Sequence, residues 1–259
     1  MPGRLPFVAA LAFVATPALA QERDFCANRP GIGTPACTMA PGTAMIETGV
    51  VEWDHSAKAA GSEDTTTFGE FLLRVGVSDS AEVQFGLDSL TRDRQHDSAS
   101  GLTRHSTGIG DAFVAVRRGL AGPNGPVAVE AFVNVPPDDA GRWTTGVLLP
   151  IGFDLPSGFQ LALTPEVDLT ADADGKGRHA SYGGVVGLSH GLATDLTVGG
   201  ELAAFADDDP TGHALDARLA GELAWQVAPR LQVDFEADAG LSAGAPDVAF
   251  MIGFAGRFR

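Results

Sequence analysis

The sequence predicts an all-β protein, a single transmembrane antiparallel up-and-down β-barrel of about twelve strands with short periplasmic turns and longer outer loops. Three observations predict it. The first is alternation: "QVDFEADAGL", residues 232–241, sets Gln232, Asp234, Glu236 and Asp238 against Val233, Phe235, Ala237 and Ala239, the period of two of an extended strand. The second is length, because most extended runs reach the roughly 9–11 residues that a tilted strand needs to cross a bilayer, against about 5–6 in globular sheets. The third is a rhythm of short and long connections, as if the two ends of the structure faced different compartments. A soluble β-sandwich would bury Val233 and Phe235 and has no reason for that rhythm. A barrel turns them to lipid and encloses the acids.

Taken in chain order, residues 1–20 combine Arg4, an apolar run and Ala18-Leu19-Ala20, the pattern of a cleaved secretory signal. Residues 21–42 are rich in Pro and Gly and hold the chain's two cysteines, Cys26 and Cys37. In an exported protein such a pair reads as one disulfide, so this stretch is expected to be a stapled periplasmic N-terminal segment, with an inward plug as the alternative. The barrel occupies residues 43–259.

Its twelve extended segments are read at 43–54, 65–77, 82–91, 107–118, 126–135, 143–154, 158–170, 180–190, 195–205, 213–227, 230–241 and 247–258. In "FQLALTPEVDLT" Phe159, Leu161, Leu163, Val167 and Leu169 oppose Gln160, Thr164, Glu166, Asp168 and Thr170. Short connections fall at 78–81, 121–125, 156–158, 191–194 and 228–230, and the other connections, at 55–64, 91–106, 136–143, 171–179, 206–213 and 242–247, are mostly longer. This places both termini in the periplasm. The end, "VAFMIGFAGRFR", gathers Val248, Phe250, Ile252, Phe254 and Phe258 on one face, like the terminal strand that the barrel assembly machinery reads; Arg259 after the last aromatic departs from that pattern.

The net charge is −16, with Lys58 and Lys176 the only lysines. That argues against nucleic acid as a partner and against docking on anionic lipid by charge. The polar faces instead supply an inner lining. The register turns Glu70, Asp111, Glu130, Glu166, Asp168, Glu201, Asp216, Glu222, Asp234, Glu236 and Asp238 inward, against Arg74, Arg117, Arg218 and Arg257. Carboxylate rings favour cations in a wet pore, whereas acids paired with arginines would fill and stiffen a closed interior.

The segments "FCANRPGIGTPACT", "GIGDAFVAVRRGL", "LALTPEVDL" and "APDVAFMIGFAGRF" resemble the outer-membrane barrel family labelled as a transporter or by the meta-pathway of phenol degradation. The likeness covers nearly the whole mature chain and rests on structural motifs. It implies passage of small solutes, aromatic ones among them, and carries over no binding residue.

Catalytic and metal motifs are weak. "GLTRHSTG" superficially resembles the Ser and His of outer-membrane lipid hydrolases, but adjacent His105 and Ser106 in a strand point to opposite faces. His55, His96, His105, His179 and His213 fall in or beside outer loops and His190 near a periplasmic turn, so they read as solvated; the alternative is a surface metal site in which assembled loops bring several imidazoles together, though no close His–Cys ligand spacing marks one. "DADGKG", residues 172–177, lacks the ligand series of a calcium loop and reads as a tight hairpin. "GIGD", residues 108–111, precedes no helix and so cradles no phosphate. The expectation is therefore a passive outer-membrane channel or transporter without cofactor, metal or catalysis. Its partners are a small-molecule solute, membrane lipid, lipopolysaccharide and the assembly machinery. The alternative is a closed barrel whose loops bind a partner.

Overall fold

The computed structural model describes residues 23–122, 124–137 and 140–259; the expected signal lies outside them. Fourteen strands form one sheet: β1 (Ala44–Lys58), β2 (Gly61–Ser78), β3 (Ala81–Asp97), β4 (Thr103–Gly108), β5 (Ala112–Gly119), β6 (Ala128–Val135), β7 (Thr144–Leu148), β8 (Ile151–Asp154), β9 (Phe159–Ala171), β10 (Arg178–Ala193), β11 (Leu196–Asp207), β12 (Ala214–Ala228), β13 (Leu231–Gly240) and β14 (Val248–Phe258). All pairings are antiparallel, and β1 pairs with β14, Ala44 opposite Phe258, closing the cylinder. Closure leaves no unpaired backbone edge, which hydrocarbon would penalise.

The fourteen make twelve wall staves, because β4 and β5 are one stave interrupted at residues 109–111, and β7 and β8 one interrupted at 149–150. Pro150 has no N–H to give a ladder; its carbonyl accepts from Ala128 N at 2.9 Å. At the other break Gly110 N donates to Asp88 O and Asp88 N to Asp111 O, so the chain stays on β3 and β5 resumes the register of β4.

Exposure follows the expected inversion. Along β13 Val233 and Phe235 are exposed while Gln232, Asp234 and Glu236 are buried, and the large exposed apolar side chains include Val167, Val186, Leu202, Leu219 and Ile252. This apolar outer wall, on a closed barrel, puts the protein in the bacterial outer membrane.

Two differences from the sequence reading stand out. Several strands run further outward than expected: β1 and β2 meet across residues 59–60, and β3 continues to Asp97 to pair with β4. The polar segments at 55–64 and 91–106 were expected to be loops, but much of their length is hydrogen-bonded hairpin, since backbone pairing does not require an apolar face. The alternation also slips by one at neighbouring places on β1–β3. β1 bulges at Val50, between the pairs Gly49 with Gly253 and Val51 with Ile252, Gly69 takes φ +68°, and on β3 the exposed series Phe85, Leu87 resumes at Leu90. A bulge inserts one residue and so exchanges the faces, which lets Glu47 and Glu52 share the inside.

Candidate functional site

The inner wall and residues 23–42 form one polar assembly. The Cys26–Cys37 disulfide staples that segment, whose backbone meets side chains of eight strands. One flank is arginine-based. Arg74 Nε donates to Glu82 Oε1 at 2.8 Å, its Nη1 to Glu47 Oε1 at 3.1 Å and to Cys26 O at 2.8 Å, and its Nη2 to Cys37 O at 3.4 Å. Arg117 Nε donates to Glu130 Oε2 at 2.6 Å, and its Nη1 to Asn28 Oδ1 at 3.0 Å and Cys37 O at 3.3 Å. Gln84 Nε2 bridges Glu82 and Glu130 at 2.9 and 2.8 Å. Arg74, Glu82, Gln84 and Arg117 have no exposed surface and Glu47 has 1%. Glu47 and Glu82 accept in turn from the backbone N–H of Asn28, Arg29 and Met39. A buried ion pair offsets its desolvation only when the remaining donors and acceptors are satisfied, and here the segment supplies many of those partners.

The opposite flank, β9–β13, is carboxylate-based. Gly31 N donates to Glu236 Oε2 at 2.8 Å, and Ile32 N and Gly33 N both donate to Glu201 Oε2 at 2.6 and 2.8 Å. Successive backbone N–H groups converging on one oxygen make a small anion-binding concavity. Gly31 sits at φ +112°, a conformation that favours glycine, and Gly33 packs closely on Glu201, where a Cβ would come 2.7 Å from Oε1. Thr34 N meets Thr164 Oγ1 at 3.2 Å. Arg29 spans the interior, giving Nη1 to Glu70 Oε2 at 2.8 Å and Nε to Asp234 Oδ1 at 3.3 Å, while Gln232 Nε2 donates to Arg29 O at 2.7 Å.

Of the residues expected to line the interior, Arg74, Arg117 and Glu130 meet in the first cluster, and Glu70, Glu201, Asp234 and Glu236 meet the segment. Arg218 pairs with Asp216 at 2.6 Å, and Asp111 accepts from Asn134 Nδ2 at 3.0 Å. Glu166 and Asp168 lie on the same face of β9 as Thr164. Buried oxygens of Asp168, Glu222 and Asp238 have no hydrogen-bond partner among the described residues. Arg257 instead donates to Arg23 O at 2.5 Å. Sequence reasoning missed Glu47, Glu82, Gln84 and Arg29. Glu82 and Gln84 were legible in the alternation of "AEVQFGL"; Arg29, in a segment without period, was not.

A cavity of about 740 Å³ lies beside the segment, lined among others by Phe25, Thr34, Met45, Gly187, Glu201 and Glu222. Nearer the outer end Glu52, Asp54, Glu63 and Arg218 border a second space of about 320 Å³. Elsewhere Ser106 Oγ donates to Asp93 Oδ2 at 3.0 Å, a carboxylate rather than a histidine. The expectation of solvated histidines fails at one position: His179 is 8% exposed, because two outer turns fold over it.

Residues 27–258 match the family described as "Putative MetA-pathway of phenol degradation". No protein of curated function matches the sequence. Among solved structures, the COG4313 outer membrane channel from Pseudomonas putida F1 superposes with a TM-score of 0.68 at 16% identity, covering 88% of this chain and 99% of that one. The β domain of the Bordetella autotransporter BrkA gives 0.56 at 15% identity, over 84% and 100%. The translocator domain of autotransporter NalP from Neisseria meningitidis gives 0.52 at 13%, over 84% and 88%. At these identities the likeness is one of fold.

Proposed function

The chain belongs to the phenol-degradation MetA-pathway family, and from that premise we propose that it is a passive outer-membrane channel for small solutes, favouring cations and neutral aromatic molecules over anions. The observation that carries this reading is the carboxylate-rich inner wall beside a 740 Å³ cavity. Carboxylates lining a wet passage attract cations and repel anions. A cavity of that size falls in the range of about 300–1,000 Å³ that accepts a small organic molecule, and Phe25 and Met45 give it an apolar wall. The segment 23–42 narrows the passage, so flux is modest and size-limited. The family's description supports aromatic solutes, and the outer-membrane channel of similar fold supports conduction. Membrane lipid, lipopolysaccharide and the assembly machinery are the partners such a barrel requires.

Purified protein in planar bilayers tests the reading. Under a salt gradient the reversal potential is expected to report cation preference, and phenol-loaded liposomes carrying the protein are expected to leak faster than empty ones. Absence of both conductance and solute flux overturns the proposal in favour of a closed barrel. An anion-selective reversal potential overturns the assigned role of the carboxylates.

A further inference from the structure

At the outer rim, away from the inner wall, two connections converge on one imidazole. His179, the second residue of β10, has a side chain only 6% exposed. Its Nδ1 lies 2.9 Å from Asp172 Oδ1, in the turn between β9 and β10, and 3.6 Å from Asp209 Oδ2, in the connection between β11 and β12. Its Nε2 points at Asp207, 2.9 Å from Oδ1, yet makes no hydrogen bond of good geometry. One imidazole thus faces three carboxylates. A single N–H on Nδ1 satisfies one acceptor, leaving Asp172 and Asp209 confronting each other across it.

From this arrangement we propose that Asp172, His179 and Asp209 form a binding site for one divalent transition-metal cation, Zn²⁺ being the best fit, with Asp207 positioning the imidazole from behind. One ligand atom from each of the three lies within 4.8 Å of the others. Bonds of about 2.0–2.2 Å to nitrogen and oxygen span edges of roughly 3–3.5 Å, so small side-chain movements close the site. A nitrogen with two carboxylate oxygens suits zinc better than calcium or magnesium, which take oxygen-only shells. A metal-bound histidine commonly gives its remote N–H to a carboxylate, which fixes tautomer and orientation, and Asp207 stands at that position.

Asp209 is prearranged for the role. Its Oδ1 accepts from Thr211 Oγ1 and Thr211 N, both at 2.6 Å, and its Oδ2 accepts from Ala173 N at 2.7 Å. Ala173 follows Asp172 directly, so a bound ion would tie the β9–β10 turn to the β11–β12 connection and clamp one sector of the outer rim. This site is independent of conduction.

The test is calorimetric titration of chelator-treated full-length protein in detergent micelles with Zn²⁺ alone, folding being checked by the heat-dependent gel shift of an intact barrel. One equivalent is expected to bind, with affinity lost at least about 100-fold in His179→Ala and in Asp209→Asn, and reduced about 10- to 100-fold in Asp207→Asn. His213→Ala removes an exposed histidine on the same connection and is expected to leave binding unchanged. Absence of a stoichiometric site in folded wild-type protein overturns the proposal. So does binding that survives His179→Ala, or that depends on His213.

Discussion

The two flanks of the interior solve the problem of buried charge differently. On β1–β6 three carboxylates, Glu47, Glu82 and Glu130, meet two guanidiniums, Arg74 and Arg117. On β11–β13 Glu201, Glu222, Asp234, Glu236 and Asp238 crowd together with Arg29 and Arg218 as their guanidinium neighbours. There the partners are largely backbone N–H groups of residues 31–33. Guanidiniums cancel the charge of the carboxylates they bind, whereas backbone N–H groups hydrogen-bond a carboxylate and leave its charge in place. The first flank therefore holds the N-terminal segment through guanidiniums and backbone N–H groups together, and the second through backbone N–H groups and the single guanidinium of Arg29.

The largest effect is expected on the first flank. Arg74→Met leaves Glu47 and Glu82 buried without their main counter-charge, a loss of about 3–5 kcal/mol, measurable as a lower unfolding midpoint or failure to reach the heat-resistant form. If the variant assembles with unchanged stability, the first flank is not held electrostatically. Next comes a contrast between neighbours on β11. Leu202→Arg puts a charge on the exposed lipid-facing side and is expected to cost about 2–4 kcal/mol. Glu201→Gln, one residue away on the inner side, keeps an acceptor for Ile32 N and Gly33 N and is expected to change stability by less than about 1 kcal/mol. Reversed tolerances would mean the register is off by one.

A finer cut separates holding from lining. Gly33→Val drives a Cβ against Glu201 and is expected to lift the segment from the β11–β13 flank, raising single-channel conductance several-fold while Arg74 and Arg117 keep the barrel folded. Unchanged conductance would show that the segment does not limit the passage. The smallest change is expected from Glu222→Gln. Its Oε1 has no hydrogen-bond partner among the described residues, so stability should hold within about 0.5 kcal/mol, while the reversal potential moves toward zero by a few millivolts.

Much of the barrel was legible before the structure. β9, β12 and β13 carry unbroken alternation and fall where the sequence puts them; β4 and β5 do not, because Gly108 and Gly110 interrupt the pattern without showing that the chain rejoins the same stave. Arg74, Arg117 and Glu130 were readable as inward-facing from their neighbours. That they meet one another was not, since alternation fixes a face and leaves the height in the barrel open. The phase slips at Val50 and Gly69 hid Glu47 and Glu52 for the same reason: one extra residue exchanges the faces.

The sequence by itself determined which side of each stave is oily, because successive side chains of a strand must point opposite ways and a membrane accepts only one of the two faces. Tertiary structure alone decided where residues 23–42 run and which acids they satisfy. Arg29 reaches Asp234 across 205 positions of chain, and His179 gathers carboxylates from two separate connections. Such meetings depend on how the cylinder closes, a long-range property that no local period records.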